Sequence, residues 1–527
     1  MSLMRQQNGY HSICWLTGCL LFSFSVAFAA PDDPYMNSDE TWSQPYPDQW
    51  AVEEQRVYAD VAPQQRGEPV IVAVIDTGID YTHEDLASEQ LWWNPREERN
   101  GRDDDKNGYV DDLLGWNFVE DNNNPWDQSG HGTHIAGVIA ACTDNGVGIA
   151  AVNPDAKIMS LKVANFAGQA RSSNVAAAIY YAVDNGAQII NLSLGGELIT
   201  ELEKAAATYA EENDVLIIVS SGNRGIPAER FGYAGLPGVL AVGASTTEGV
   251  RAGFSNFGNL VHLLAPGVDI LSLRAEDTDF VEMSEPLDYE PEKAVVGEHY
   301  YRANGTSFSA AIATGVASRI KSLRPELGGK GLKSVLLQSA ADIEPAGIDQ
   351  LSGYGSIDFV RGLGHQPGQQ VIARLEEADL SLKNDSLFVE LIGVAEGQGF
   401  EKGVVLARPV ASTVTIEMIE RATDAELVAQ GKKPKKRRAK KSKKQIALDA
   451  EMLTAAYQWQ ELVQVAQPVR SDLLATISFD DLVTRFYGST DWEVKLEVAA
   501  GGGSETALMT LSLPVPDLAS TPEETQQ

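Results

Sequence analysis

Val72-Ala73-Val74-Ile75-Asp76-Thr77-Gly78-Ile79-Asp80 decides the reading of this chain. The run before Asp76 is apolar without alternation, as a strand buried on both faces of a parallel sheet requires. It stops on an acid and a glycine turn, and open α/β sheets present reactive side chains at that edge. Outward from it, residues 158–163, 189–194, 215–219 and 239–242 repeat the pattern of 70–75 and read as buried strands. Residues 174–184, 200–212 and 307–323 read as helices. This alternation, sustained from Val70 to about Gly364, predicts βαβ units and a parallel sheet with helices on both faces.

After His365 the pattern changes to period two, in Val414-x-Ile416-x-Met418, Trp492-x-Val494-x-Leu496-x-Val498 and, beyond a glycine turn at 501–503, Met509-x-Leu511-x-Leu513. Residues 365–515 are therefore expected to form a β-rich α+β C-terminal domain. Within it, 432–444 carries ten lysines and arginines and no acid, a solvated basic loop able to touch an anionic surface. Residues 516–527 read as a disordered tail.

At the front, Arg5, the apolar stretch 13–28 and Ala27-Phe28-Ala29 have the order of an export signal cut after Ala29. A lipoprotein-type box at Leu16-Thr17-Gly18-Cys19 fits less well, because the apolar run continues past it. The expected destination is the exterior, the periplasm or the cell envelope, with residues 30–364 as the main domain. Removal of the signal leaves Cys142 alone, so no internal disulfide is possible. With 74 acids against 41 bases the net charge is −33, which disfavours nucleic acid and anionic membranes and favours divalent cations. No later run reaches membrane-spanning length, so stable membrane insertion is not expected.

Two further motifs carry chemistry, G-H-G-T-H around His131 and G-T-S around Ser307. A serine hydroxyl needs a base to accept its proton during attack, and His131 is the candidate. Asp76 would hold the other ring nitrogen, fixing the tautomer and stabilising the imidazolium. Asn223, in Ser221-Gly222-Asn223 after a strand, can offer a side-chain amide to an oxyanion, as can the backbone N–H of Ser307 at a helix start. His134 reads as structural and His83 as a surface residue.

Taken with I-N-L-S-L-G-G, S-S-G-N, F-S-N-F-G, L-A-P-G-V and N-G-T-S-F-S-A, these motifs resemble the subtilase family of serine endopeptidases over roughly residues 45–364. The resemblance implies a subtilisin-like parallel-sheet sandwich and hydrolysis of extended polypeptides through Asp76, His131 and Ser307. It implies further that Ser193-Leu194-Gly195 pairs with substrate backbone and that Ser221 and Gly222 line the pocket before the cut. Arg224 stands where many relatives carry an acid or a neutral residue, which suggests tolerance of acidic side chains. The stretch between the signal and Asp76 is too short for the family's usual inhibitory propeptide and resembles a thermitase-like N-terminal arm. Phe308 replaces a common methionine, and Ala311 and Ala234 replace common prolines. The alternative on the same scaffold is an inactive or peptide-transferring relative.

Asp103-x-Asp105-x-Asn107-Gly108-Tyr109-x-Asp111-Asp112 has the opening spacing of a calcium loop, with hard oxygen donors at alternate positions. Leu114 occupies the place of the closing glutamate, so Asp111 or Asp112 is the expected substitute. Ca2+ is the one cofactor expected, with residues 143–146 as a weaker second site.

Overall fold

The computed structural model describes residues 30–512 except 59–65, 197, 229–231, 277, 279–292, 344–347, 366–370, 384–385, 398–399, 411–414, 416–417, 420, 422–432, 434–455, 468, 487–488, 490 and 501–502. The stretch read as an export signal, nearly all of the basic tract and the segment read as a C-terminal tail lie outside the described residues.

Helix α1 (Trp50–Gln55) precedes β1 (Val70–Asp76), β2 (Gly115–Asn117), α2 (His131–Ala140), β3 (Ala156–Lys162), α3 (Ser172–Asp184), β4 (Ile189–Leu192), α4 (Glu201–Glu212), β5 (Leu216–Ser220), β6 (Leu240–Ser245) and β7 (Leu263–Pro266). The seven strands form one parallel sheet in the order β2-β3-β1-β4-β5-β6-β7. Strand order reverses at β1, which pairs with β3 on one side and β4 on the other, so the crevice outside its carboxyl end is the expected position for a site.

Burial on both sides explains the unbroken apolar text of β1. Val72 and Val74 face a core shared with α2 and with α5 (Thr306–Leu323), whereas Ala73 and Ile75 face a second core shared with α3 and α4. Truncating the fully buried Ile75 to alanine would cost about 2–5 kcal/mol. Helix α4 starts on a capping box, Thr200 accepting from the Glu203 N–H while Glu203 accepts from the Thr200 N–H. Between β7 and α5, strands β8 (Ile270–Leu273), β9 (Val295–Val296) and β10 (Tyr300–Ala303) form a small antiparallel sheet.

The expected strand at 189–194 ends at Leu192, so 193–195 run on with no strand partner among the described residues. That at 239–242 is shifted to Leu240–Ser245. Helices α6 (Gly329–Ser339) and α7 (Phe359–Gly364) close this part of the fold.

Beyond them, β11 (Val371–Lys383), β12 (Ser386–Gly397), β13 (Phe400–Pro409), β14 (Gln460–Val465), β15 (Val469–Ser478), α8 (Phe479–Arg485), β16 (Asp491–Ala500) and β17 (Gly503–Ser512) build two antiparallel sheets, β11-β12-β15 and β14-β13-β16-β17. Trp492, Val494, Leu496 and Val498 are all buried, the inward half of the period-two pattern. The expected alternation at 414–418 is not a strand where it is described: Met418 sits in a helical turn, and Val414 and Ile416 lie outside the described residues.

Candidate active site

Asp76 ends β1 and His131 opens α2, and two glycines bring these ends together. A Cβ on Gly132 would meet the Gly78 carbonyl at 2.1 Å, so only glycine lets the helix start against the Asp76 turn. The Gly132 N–H then donates to Thr77 Oγ1 at 3.0 Å. His131 Nδ1 reaches Asp76 Oδ1 at 2.8 Å, with both side chains essentially fully buried. Asp76 Oδ1 also accepts the Thr77 N–H at 2.7 Å. Burial opposes charge on the His131 ring, but the charge and hydrogen bond of Asp76, reinforced by the charge of Asp127, prevail and raise its pKa above the usual value.

Ser307 stands in the first turn of α5, whose next residue, Phe308, has its ring centre 5.7 Å from that of His131. The Ser307 hydroxyl donates to the Ser193 carbonyl at 3.2 Å, and the Ser193 hydroxyl donates to the Ser307 carbonyl at 3.0 Å. These reciprocal bonds lash the Ser307 turn to the segment after β4. Asn191 orders the same junction, donating to Ser193 Oγ at 2.8 Å and accepting from Thr314 of α5 at 2.9 Å. Asn223 follows β5, and its Oδ1 accepts both the N–H and the hydroxyl of Thr306, at 2.9 and 2.7 Å. That anchors one end of the amide and leaves Nδ2 turned toward the backbone at Gly305, 3.4 Å from a Cβ built there.

Ser193 and Leu194 are buried, and Gly195 is exposed as the rim of an unpaired edge. Facing it, Gly232 has φ +53° and lies so close to Gly196 that a Cβ would sit 2.6 Å from its carbonyl oxygen. Ser221 and Gly222 are buried behind Asn223, whereas Arg224 is exposed. His134 is neutral: burial drives its pKa down to about 3, and Nε2 reaches the carbonyls of Ile270 and Tyr301 at 3.1 and 3.0 Å. His83 is buried, against the expectation of a surface position. Its Nε2–H donates to the His299 carbonyl at 2.9 Å, Nδ1 accepts the Asp85 N–H at 3.1 Å, and burial lowers its pKa.

The acidic loop gathers around a residue that its spacing did not reveal. Glu97 is buried, and the carboxylates of Glu97, Asp103 and Asp105 come within 4.8 Å of one another. Glu97 accepts the N–H groups of Asp104 and Asp105 at 2.6 and 3.0 Å and that of Asp111 at 3.1 Å, tying the loop to itself. Asn107 donates to Asp105 and Asp112, at 3.3 and 2.9 Å. The Asp111 carboxylate turns instead to the backbone of Asn100 and Gly101, and Asp112 to Asn94, Asn107 and Tyr181. Tyr109 places its ring against Trp116, Phe118 and Tyr181. In the second loop, Asp33 accepts the N–H groups of Asp144 and Asn145, and Asn145 donates to Asp85 at 3.0 Å.

Residues 67–355 match the model of the Subtilase family. The chain belongs to the subtilase family. It is 33% identical over 285 residues to a thermophilic serine proteinase of Bacillus sp. (strain AK1), a match covering 54% of this chain and 58% of that protein. It is 32% identical over 244 residues to thermitase of Thermoactinomyces vulgaris, covering 46% and 75%. With a cell wall-associated protease of Bacillus subtilis (strain 168) it shares 30% over 351 residues, covering 62% of this chain but 34% of that protein. The subtilase chain thus spans between about a third and three quarters of these relatives' lengths. A crystal structure of a lanthipeptide protease shares the fold, with TM-score 0.51 and 24% identity, covering 64% of this chain and 99% of that one. Among the described residues no helix is long and apolar enough to cross a membrane.

Proposed function

We propose that this subtilase is an exported serine endopeptidase that hydrolyses extended polypeptides. The buried 2.8 Å contact between Asp76 and His131 supports this reading most, since it provides an oriented imidazole beside the helix turn that carries Ser307. A substrate strand adds to the unpaired edge at Ser193-Leu194-Gly195, with Ser221 and Gly222 behind the side chain preceding the cut. Ser307 Oγ attacks the carbonyl carbon while its proton passes to His131 Nε2, and Asp76 steadies the imidazolium. The developing oxyanion accepts from Asn223 Nδ2 and the Ser307 N–H. His131 then protonates the leaving amine, the C–N bond breaks, and water repeats the sequence to release the acid and restore Ser307.

Glu97, Asp103 and Asp105, with Asn107 beside them, fit a Ca2+ ion: hard oxygen donors converge from one tight loop whose negative charge an ion would offset. In this reading calcium is structural, clamping a segment packed through Tyr109 and Tyr181 against α3. The front segment and the acidic composition support export, and the basic tract is a solvated loop able to touch an anionic surface.

The test is mass analysis of peptide products. Hydrolysis adds one water per cut, whereas ligated or cyclised products identify a peptide-transferring relative. Ser307→Ala is expected to remove cleavage by about 10⁶-fold, and loss of the Asn223 amide to lower it by about 10²–10³.

A further inference from the structure

Two buried residues of opposite charge flank the Asp76–His131 couple and take no part in the steps above. Lys162 ends β3 directly beside Asp76 in the parallel register and is 1% exposed. Its ammonium donates to the Thr77 carbonyl, and the Thr77 N–H donates to Asp76 Oδ1. Asp127, four residues before His131, is 0% exposed. Its carboxylate closes the first turn of α2, accepting from Ser129 N and Gly130 N at 2.9 Å, Thr133 N at 3.0 Å and Thr133 Oγ1 at 2.7 Å.

Asp76 Oδ1 makes the hydrogen bonds to His131 and the Thr77 N–H, and Oδ2 is buried with no hydrogen-bond partner among the described residues. An ionised oxygen so placed is costly unless a charge of opposite sign lies near. Lys162 supplies that charge from the adjoining strand.

We propose that Asp127 and Lys162 are positioning residues of opposite sign, fixed on either side of the Asp76–His131 couple, that together set the pH at which His131 becomes a base. The inference rests on the reading of His131 as general base. Among the described residues, the charged and titratable groups that face this couple or Lys162 are Asp76 from β1, Asp80 from the turn after it, Asp127 and Glu120 from the segment before α2, His134 on α2, and Lys162 from β3. Phe308 covers the ring from α5. Asp76 and Asp127 favour the imidazolium; both also favour the charge on Lys162, and in this proposal the ammonium offsets the field of the two acids at the ring. Burial lowers the Lys162 pKa, an effect opposed by Asp127, Glu120 and Asp76, so its charge is bound into the same set. Without Lys162, the two acids hold the proton on His131 to higher pH and Ser307 has no base there. Without the Asp127 charge, the ring loses its proton at lower pH.

The experiment is the pH profile of kcat/KM on a peptide substrate, using the full chain as wild type, Lys162→Met, Asp127→Asn and the double variant. The acid limb is expected to rise by about half a pH unit in Lys162→Met and to fall by about the same amount in Asp127→Asn. The double variant should return close to wild type. Activity that drops evenly across the profile with the limb in place reveals a structural role and overturns the proposal. If Lys162→Met does not fold, Asp127→Asn decides alone, and a limb that stays or rises is the contrary result. NMR titration of the His131 imidazole reads the same shifts without turnover. A wild type that never hydrolyses peptide therefore defeats the peptidase reading, while the imidazole shifts still decide this one.

Discussion

Asp269→Asn probes a charge that joins the N-terminal arm to the turn before Ser307. Asp269 is 2% and Arg302 3% exposed, and the carboxylate grips the guanidinium at both Nε (2.8 Å) and Nη2 (2.7 Å). It also accepts from Tyr46 at 2.6 Å and Trp42 Nε1 at 3.1 Å, and Trp42 stacks on the guanidinium at 4.2 Å. Asparagine keeps the shape and tolerates the left-handed φ of 54° at this position, so the substitution leaves the backbone unstrained, removes the charge and turns one acceptor oxygen into an NH2 that faces donors of Arg302, Trp42 or Tyr46. Unbalancing a buried pair of this kind costs about 3–5 kcal/mol. At roughly 2–4 °C per kcal/mol for a large domain, the melting temperature should drop by about 6–20 °C. Activity should fall with it below the melting transition. The Asp269 N–H donates to Asn304 at 2.7 Å, and the Gly305 N–H to Gly267 at 2.9 Å, two residues from Ser307. Differential scanning calorimetry and peptide hydrolysis at 25 °C are the assays. A variant melting within about 1 kcal/mol of wild type, with unchanged kcat, would refute the claim that this charge pair holds the arm and the turn together.

Chelation should lower the melting temperature, and Glu97→Gln should weaken the response to added calcium, because an ion bound only to the folded state stabilises it by mass action; an unchanged melting curve removes the calcium proposal. Arg224→Glu should shift the ratio of cleavage after acidic residues to cleavage after lysine toward lysine, read from a peptide mixture, and an unaltered ratio means that Arg224 does not face the substrate. Peroxide should leave activity intact under conditions that oxidise exposed methionines, since Phe308 puts no sulfur beside the nucleophile; rapid inactivation would place the sensitive group elsewhere.

Much of this arrangement was legible because it depends on local pattern. The strand before Asp76 and the helix after Ser307 were identifiable from their apolar text, and Trp492 to Val498 announced one buried face by alternation. What escaped is set by contacts distant in sequence. Glu97 precedes the D-x-D-x-N-G spacing and enters the loop only because its carboxylate collects three backbone N–H groups. Lys162 looks like an ordinary charged strand end until the β1–β3 register sets it beside Asp76. The Asp269–Arg302 pair joins residues 33 positions apart and closes on aromatic side chains from the N-terminal arm. His83 reads as exposed beside acids, and its burial follows from its two backbone partners. Periodicity reports which face of an element is apolar; it carries no information on which buried charges meet.

Covalent labelling tests the central claim most directly. The folded wild-type chain is treated with a fluorophosphonate across a range of pH, and the adduct is located by peptide mass spectrometry. The prediction is a single adduct on Ser307, formed faster as His131 loses its proton and nearly abolished in His131→Ala. A folded protein that takes no label, or takes it at another residue, would contradict the account.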